Sequence, residues 1–170
     1  PQTECWKKLV EYFGKRILKK DSSIDRKILA SVIFDDPVKR KCLNDIVHPE
    51  ITKTINLQVK RIKAEWPDAI IIIDAALLVE TGTYKEYEKL IVVYSREELQ
   101  EERMITRDGI TRAEARKRID SQWPIVKKMK VADYLIQNEG SLEKLSKDTD
   151  RLFVSLRTLS DLKSIQKGDS

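Results

Sequence analysis

The chain is poor in the residues that build disulfide frameworks and metal centres. Its 170 residues include only two cysteines and one histidine, and Cys5 and Cys42 are too far apart in sequence to form a CxxC pair. This argues against a zinc site and favours a reducing, cytoplasmic setting. No apolar run approaches the ~20 residues that a membrane span requires, and no segment has the charged-then-apolar pattern of a signal peptide. We therefore expect no membrane partner.

Glycine is also scarce. The five glycines include no two that are five residues apart. These residues therefore contain no GxxxxGK[ST] loop, whose backbone N–H groups hold nucleotide phosphates at a helix N-terminus. Aromatic residues make up only 6%, and neither a stacking platform nor a recognised nucleic-acid motif is present. We expect no nucleic-acid partner.

Charged residues, in contrast, are abundant. They make up 36% of the chain, with a net charge of +5. This balance suits an anionic small molecule such as a nucleotide or a CoA-like phosphate. Because the two signs are interspersed, a solvated mixed surface explains it equally well. The 41% of hydrophobic residues suffice for the core of one domain, or of one domain with an appendage.

The first 67 residues have a helical pattern throughout. Asp25, or Ser23 before it, is a suitable N-cap, and Pro37 occupies a favoured first-turn position. Pro49 after His48 predicts a break between two helices, because proline disrupts a helix interior. Periodic apolar residues thus predict four helices, at 3–13, 23–34, 37–48 and 49–65.

Strands alternate with helices in the rest of the chain. Apolar runs without polar alternation predict three parallel strands, at 69–73, 89–95 and 133–137. Helical patterns predict helices at about 96–107, 111–119 and 124–131, and from the cap Ser141 to about 160. The fold class is therefore α/β, a parallel sheet covered by helices on both faces. About five or six strands are usual in such sheets, so the sheet of this chain is incomplete.

Acidic side chains follow the first predicted strand. Asp74 ends the run of isoleucines, and Glu80 comes soon after it. Ligands of open α/β sheets bind at the carboxyl ends of the strands, which makes a nucleotide-handling enzyme the leading interpretation. An aspartate that only caps the following turn is the simpler alternative for Asp74.

Six segments, in this order, carry a family resemblance. They are FGKRIL at 13–18, SIDRKILASVIF at 23–34, LNDIVHPEI at 43–51, IIIDAALLVETGTYKEYEKLIVVY at 71–94, ERMITRDGITRAEARKRIDSQ at 102–122 and VADYLIQNEGS at 131–141. Each segment alone is a weak signal, but their combined order is specific. Over about residues 4–153 the chain resembles the dephospho-CoA kinases, a family of P-loop kinases.

The resemblance implies a fold and a reaction. It implies a helical acceptor-substrate (CoA-binding) subdomain at 1–67, a core α/β part at 68–160 with a helical lid at about 96–130, and a polar tail at 161–170. The reaction would move the γ-phosphoryl of ATP to the 3′-hydroxyl of dephospho-CoA, the last step of coenzyme A synthesis. Mg²⁺ would bridge the β- and γ-phosphates. ATP and dephospho-CoA are then the partners, and we expect a monomer or a weak homo-oligomer.

The resemblance also implies site residues. For catalysis it points to Arg107 and Arg103, which share one helix face and whose guanidiniums suit the charge on a transferring phosphoryl group. Asp74 would face the metal, directly or through water. The nucleotide-binding candidates are Asn138, Gly140, Arg112 and Gln122. The acceptor-binding candidates are His48, Leu77, Leu78, Glu80, Asp25 and Arg26.

Structural roles stay open for these residues. The alternatives are ion pairs of the lid arginines with Glu102, Asp108 or Glu114, core packing of Leu77 and Leu78, and caps or turns at His48, Asp25 and Asn138 to Ser141. Arg116 extends the basic cluster of the lid in either case.

The phosphate site departs from the family pattern. That pattern begins with a strand, the GxxxxGK[ST] loop and a second strand ending in a D-x-D-like element, whose Asp is the expected base. None of these is among the 170 residues, so we expect this chain by itself to lack kinase activity. We favour a removed or unobserved segment over a partial copy. The alternatives are a non-catalytic binding fragment and another nucleotide monophosphate kinase-like enzyme, against which the LN-x-x-x-HP and LLVE segments argue.

Overall fold

The computed structural model describes residues 2–34 and 36–168, without the side chains of Phe34 and of residues 163–168. The chain divides into two compact units, Pro1–Ala69 and Ile70–Ser170. The sequence places the boundary two residues earlier, at 67. Within the described residues no helix is both long enough and apolar enough to cross a bilayer.

Among its described residues, the first unit contains three α-helices. They are α1 at Glu4–Phe13, α2 at Arg26–Phe34 and α3 at Pro37–Glu65, with a 3-10 turn at Lys15–Ile17. The side chain of Thr3 caps α1 by accepting from the backbone N–H of Trp6 at 3.2 Å. Gly14, with φ of 79°, ends α1 in a conformation that favours glycine. Local sequence signals therefore set both ends of α1.

A small apolar core holds the three helices together. Its buried side chains are Leu9, Phe13, Ile17 and Leu29, and Leu43, Ile46 and Val47 of α3 pack against them. Apolar residues recur at helical spacing along the helices, so each helix has an apolar stripe. These stripes meet in one core. These contacts come from the amino-terminal half of α3.

The predicted break at His48 is wrong, because α3 is one helix of 29 residues that continues through Pro49. A proline in a helix interior removes one backbone hydrogen bond and costs roughly 3 kcal/mol relative to alanine. The turns on both sides keep their bonds, and the helix therefore continues past the defect. His48 lies within α3, which also rules out a helix-end role for it.

The second unit contains two parallel strands, four α-helices and a 3-10 turn at Thr83–Glu86 among its described residues. These elements are β1 at Ile91–Tyr94, α4 at Glu97–Asp108, α5 at Arg112–Asp120, α6 at Ile125–Met129, β2 at Tyr134–Gln137 and α7 at Leu142–Gly168. The strands pair in register from Ile91 with Tyr134 to Tyr94 with Gln137. The buried residues Val79, Leu90 and Val92 form a core with Tyr84, Ile125 and Ala132. The predicted α/β class with parallel strands is confirmed.

The predicted strand at 69–73 is wrong. Residues 70–75 have no regular secondary structure, and the side chain of Ile72 is 64% exposed. A strand exists only when a neighbour pairs with its backbone, and β1 and β2 are the paired strands of the described residues. The isoleucine run therefore stays outside the sheet.

The carboxyl-terminal helix is longer than predicted. The hydroxyl of Ser141 accepts from the backbone N–H of Lys144 at 3.2 Å, as expected for its cap. From there α7 runs to Gly168, past residue 160, where the sequence suggests that a polar tail begins. Polar residues such as those after Ser160 form helix turns readily when a preceding helix provides the nucleus.

One carboxylate joins the starts of the two strands. Asp133 Oδ2 accepts from the backbone N–H of Leu90 at 2.8 Å, and its Oδ1 accepts from Lys89 Nζ at 2.9 Å. The backbone N–H of Asp133 in turn donates to the carbonyl of Leu90 at 2.9 Å. Hydrogen bonding to Leu90 N–H, and then to Lys89, lowers the pKa of Asp133. Asp133 therefore fixes the register of β1 and β2 at their amino-terminal end.

Candidate active site

The carboxyl ends of β1 and β2 are tied into one rim. The backbone N–H of Asn138 donates to the carbonyl of Tyr94 at 2.8 Å. Glu139 accepts from the backbone N–H of Arg96 at 2.7 Å through Oε1, and its Oε2 lies 3.4 Å from Arg96 Nε. These contacts hold the segment after β2 against the start of α4. The rim is the place where open parallel sheets bind ligands.

The side chain of Arg103 reaches this rim. Its Nη1 donates to the carbonyl of Asn138 at 3.0 Å. The contact brings together one predicted catalytic residue and one predicted nucleotide-binding residue. Gly140, also predicted to bind nucleotide, is exposed two residues further on. The guanidinium retains further N–H donors for an anion, because it has five.

Arg107 lies one turn further along α4 and turns to a different partner. Its Nε and Nη2 donate to Asp108 Oδ1 and Oδ2 at 2.7 and 3.0 Å, while its side chain stays 74% exposed. The hydrogen bond to Asp108 raises the pKa of Arg107, and the same bond lowers the pKa of Asp108. Arg103 and Arg107 share a helix, but they do not converge on one group.

Arg118 is a lid arginine that the sequence reasoning missed. Its Nη1 donates to Asp108 Oδ2 at 2.9 Å, so Asp108 holds the guanidiniums of both Arg107 and Arg118. The capping box of α5, in which the side chains of Thr111 and Glu114 accept from each other's backbone N–H, is a local signal that places the start of α5 but not its packing on α4. That box fixes where α5 begins after Gly109, and Arg118 lies in the second turn of the helix.

Arg112 belongs to an ion-pair cluster between α4 and α5. Glu101, buried at 8% exposure, lies 3.9 Å from Arg112 Nε and 3.3 Å from Arg116 Nη1. Arg116 also reaches Glu97 at 2.9 Å and Asp120 at 3.4 Å. The hydrogen bond to Glu101 is the main cause of the raised pKa of Arg116. Glu101 thus joins α4 to α5, and the side chain of Arg112 remains 75% exposed.

The loop at 77–82 contains three predicted acceptor-binding residues. Leu77 and Leu78 are half-buried, and the carbonyl of Leu77 accepts from the hydroxyl of Thr81 at 2.9 Å. Glu80 Oε1 accepts from the backbone N–H of Trp123 at 3.0 Å and from Lys128 Nζ at 2.7 Å. The same Lys128 Nζ donates to Gln122 Oε1 at 2.8 Å. Glu80 is predicted to bind the acceptor and Gln122 the nucleotide. Both side chains accept a hydrogen bond from Lys128.

Three predicted acceptor-binding residues lie in the first unit. Asp25 Oδ1 accepts from the backbone N–H groups of Lys27 and Ile28 at 2.9 and 3.2 Å, which is the geometry of an N-cap for α2. Arg26, the first residue of α2, is exposed. His48 is half-buried within α3. The structure therefore gives Asp25 a capping role, and the acceptor contacts of Arg26 and His48 stay predictions.

Asp74 is the predicted metal-facing residue. It is exposed and lies in the irregular stretch after the isoleucine run. The described residues contain no group of three or more acidic, histidine or cysteine side chains that would hold a metal by themselves. A single free carboxylate nevertheless fits Mg²⁺, which binds proteins through one or two carboxylates together with substrate phosphates.

An arginine at the carboxyl ends of two parallel strands, as Arg103 is here, fits the class of α/β phosphotransferases. A family model described as CoaE, dephospho-CoA kinase, matches residues 1–144. A dephospho-CoA kinase of Aquifex aeolicus (strain VF5) is 40% identical over 151 residues, which cover 89% of this chain and 75% of that protein. The chain belongs to the dephospho-CoA kinase family, as the resemblance implies.

Solved structures agree with this assignment. A dephospho-CoA kinase from Campylobacter jejuni matches with a TM-score of 0.60 and 30% identity, over 89% of this chain and 75% of that chain. TT1252 from Thermus thermophilus matches with a TM-score of 0.67 and 26% identity, over 89% of this chain and 81% of that chain. The fold and the family therefore point to the same kind of enzyme.

Proposed function

We propose that this chain carries the acceptor-binding and lid parts of an enzyme that phosphorylates dephospho-CoA with ATP. The observation that carries the proposal is the match of residues 1–144 to the family model. The proposed reaction forms a bond between the acceptor 3′-oxygen and the γ-phosphorus, breaks the bond from the γ-phosphorus to the β–γ bridging oxygen, and releases ADP. The 3′-hydroxyl gives up its proton to a base that we do not assign among these residues.

The lid arginines would serve the phosphoryl group. In phosphoryl transfer, charge spreads over the oxygens of the moving group, and guanidiniums stabilise it by charge-assisted hydrogen bonds. Arg103 is the first candidate because it already lies at the strand ends, 3.0 Å from the carbonyl of Asn138. Arg107 and Arg118 would join it when an incoming anion replaces Asp108 as their partner. Arg112 and Gln122 would contact the nucleotide, with Asn138 and Gly140 beside its base.

Each unit by itself contains proposed acceptor contacts. His48 and Arg26 of the first unit, and the loop at 77–82 of the second, are the proposed contacts. The apolar side chains of Leu77 and Leu78 suit the pantetheine arm, and Arg26 suits a phosphate of the acceptor. Asp25 acts chiefly through its cap, since both observed bonds go to α2.

Mg²⁺ is the proposed cofactor alongside ATP, and Asp74 is the residue that would hold it. When bound, the ion neutralises charge on the β- and γ-phosphates. We further propose that the enzyme works in the cytoplasm as a monomer or weak homo-oligomer, with no nucleic-acid partner.

The proposal is tested by incubating the 170-residue chain with ATP, Mg²⁺ and dephospho-CoA, with the Aquifex aeolicus relative as the positive control. We expect no turnover, because these residues contain no GxxxxGK[ST] loop to hold the phosphates. We also expect the chain to retain dephospho-CoA in equilibrium dialysis. Clear turnover would overturn the account of the phosphate site, and loss of retention would overturn the acceptor role.

A further inference from the structure

The ion pair between Lys128 and Glu80 is the least exposed of those described in this molecule. Its two side chains are 11% and 13% exposed, and Lys128 Nζ lies 2.7 Å from Glu80 Oε1. Most other described pairs lie at the surface, where ion pairs contribute little to stability. A charged pair withdrawn from water needs close geometry to persist, and this one has it.

The pair connects a loop with two adjacent segments that follow it about 40 residues later in the sequence. Glu80 belongs to the loop at 77–82, Lys128 to α6, and Gln122 and Trp123 to the connector between α5 and α6. Glu80 Oε1 accepts from both Trp123 N–H and Lys128 Nζ, while Lys128 Nζ also donates to Gln122 Oε1. One ammonium group therefore holds the loop and the connector together.

Only one of the two carboxylate oxygens of Glu80 takes part in the network. Glu80 Oε2 is buried and has no hydrogen-bond partner among the described residues. All the observed contacts of this carboxylate thus pass through Oε1. Removing Lys128 would leave a nearly buried negative charge with a single N–H donor, which is a far less favourable state than the pair.

We propose that Lys128 is a positioning residue that clamps the loop at 77–82 to the connector at Gln122 and Trp123. The assignment of the loop to the acceptor and of the connector to the nucleotide rests on the proposed function, whereas the clamp does not. If both assignments hold, the clamp couples the two substrate sites, because neither segment moves without breaking the bonds of Lys128. This gives Glu80 an internal role in place of direct contact with substrate.

Amide hydrogen exchange on the ligand-free chain tests the clamp. The probes are Trp123 N–H, which donates to Glu80, and Thr81 N–H, which donates to the carbonyl of Leu77 at 3.0 Å. In Lys128→Met we expect exchange at both probes to become roughly tenfold faster, because the loop and the connector open together. Asn138 N–H, bonded to Tyr94 at the strand ends, should be unaffected.

Two variants make the test specific. Lys130→Met changes an exposed lysine two residues away and should leave both probes unchanged. Glu80→Gln combined with Lys128→Met should be little worse than Lys128→Met alone, because the two side chains act as one unit. Faster exchange at Trp123 with unchanged Thr81, or an equal effect in Lys130→Met, would overturn the clamp. A uniform acceleration that includes Asn138 would do the same, since it indicates general destabilisation.

Measuring dephospho-CoA binding by the same variants then distinguishes failure of the clamp from failure of the proposed function. We expect Lys128→Met to weaken dephospho-CoA binding at least threefold, and Lys128→Arg to restore part of it because the positive charge beside Glu80 is kept. Unchanged binding in Lys128→Met would overturn the role of the clamp at the substrate site. If no variant, nor the unaltered chain, binds dephospho-CoA while the exchange results hold, the clamp stands and the proposed acceptor role fails.

Discussion

Asp133 shows how much of the sheet depends on one side chain. Its carboxylate accepts from the backbone N–H of Leu90 and from Lys89, and those bonds lower its pKa. A lowered pKa in the folded state means that the ionised form stabilises the fold. This contribution is present above the unfolded pKa of about 3.9 and is lost as the pH falls through the folded pKa.

We therefore predict that Asp133→Asn lowers the free energy of unfolding by about 1 kcal/mol at pH 7, because a charged acceptor is replaced by a neutral one. The difference from the unaltered chain should shrink as the pH falls below the unfolded pKa and through the lowered folded pKa of Asp133, where its carboxylate becomes neutral. Urea unfolding at several pH values measures both. The matched control is Asp45→Asn, which removes only an exposed pair with Lys41. If the difference in the free energy of unfolding between Asp133→Asn and the unaltered chain did not depend on pH, the argument would be contradicted.

At the scale of single residues, local roles could be predicted and long-range partners could not. The caps Thr3, Asp25, Thr111 and Ser141 act within four residues of themselves, so the sequence contains all the information that they need. The partner of Glu80 lies 48 positions away on α6, and no spacing rule connects the two. Arg118 was missed for the same reason, since its contact with Asp108 requires α5 to fold back on α4.

At the scale of elements, α3 is the clearest departure from the sequence pattern. It continues through Pro49 although proline usually ends or bends a helix. The apolar residues on its amino-terminal half pack into the core of the first unit, which stabilises the helix before the proline. Tertiary packing thus outweighs the local penalty, which sequence periodicity cannot reveal.

Replacing this proline should relieve the penalty. We predict that Pro49→Ala raises the free energy of unfolding by about 1–3 kcal/mol, because alanine restores the missing backbone donor and fits the helix. Circular dichroism at 222 nm during denaturant unfolding measures the change. Lys60→Ala, at an exposed position of the same helix, should change stability by less than about 0.5 kcal/mol. A destabilised Pro49→Ala would show that the proline is required by the fold.

The strands show that apolar composition alone does not determine which segments enter the sheet. Runs of β-branched residues predict β1 and β2 correctly, to within two residues at each end. The run at 69–73 is as apolar as theirs and yet forms no strand, because pairing depends on a neighbour and not on composition alone. Composition thus predicts three candidate strands, and backbone pairing determines which of them form.

At the scale of the whole molecule, order along the chain was more informative than any single motif. Six short segments in a fixed order led to the family, which the match over residues 1–144 confirms. The α/β class is confirmed as well. The roles of the site residues stay predictions, because they concern substrates and not the folded chain alone.

The central claim is that these 170 residues recognise dephospho-CoA. Isothermal titration of the chain with dephospho-CoA, beside adenosine monophosphate, tests it most directly. We predict saturable binding of dephospho-CoA and binding of adenosine monophosphate at least roughly tenfold weaker, since the latter lacks the pantetheine arm that the leucines of the 77–82 loop would contact. No heat of binding with dephospho-CoA, or equal affinity for the two ligands, would contradict the account.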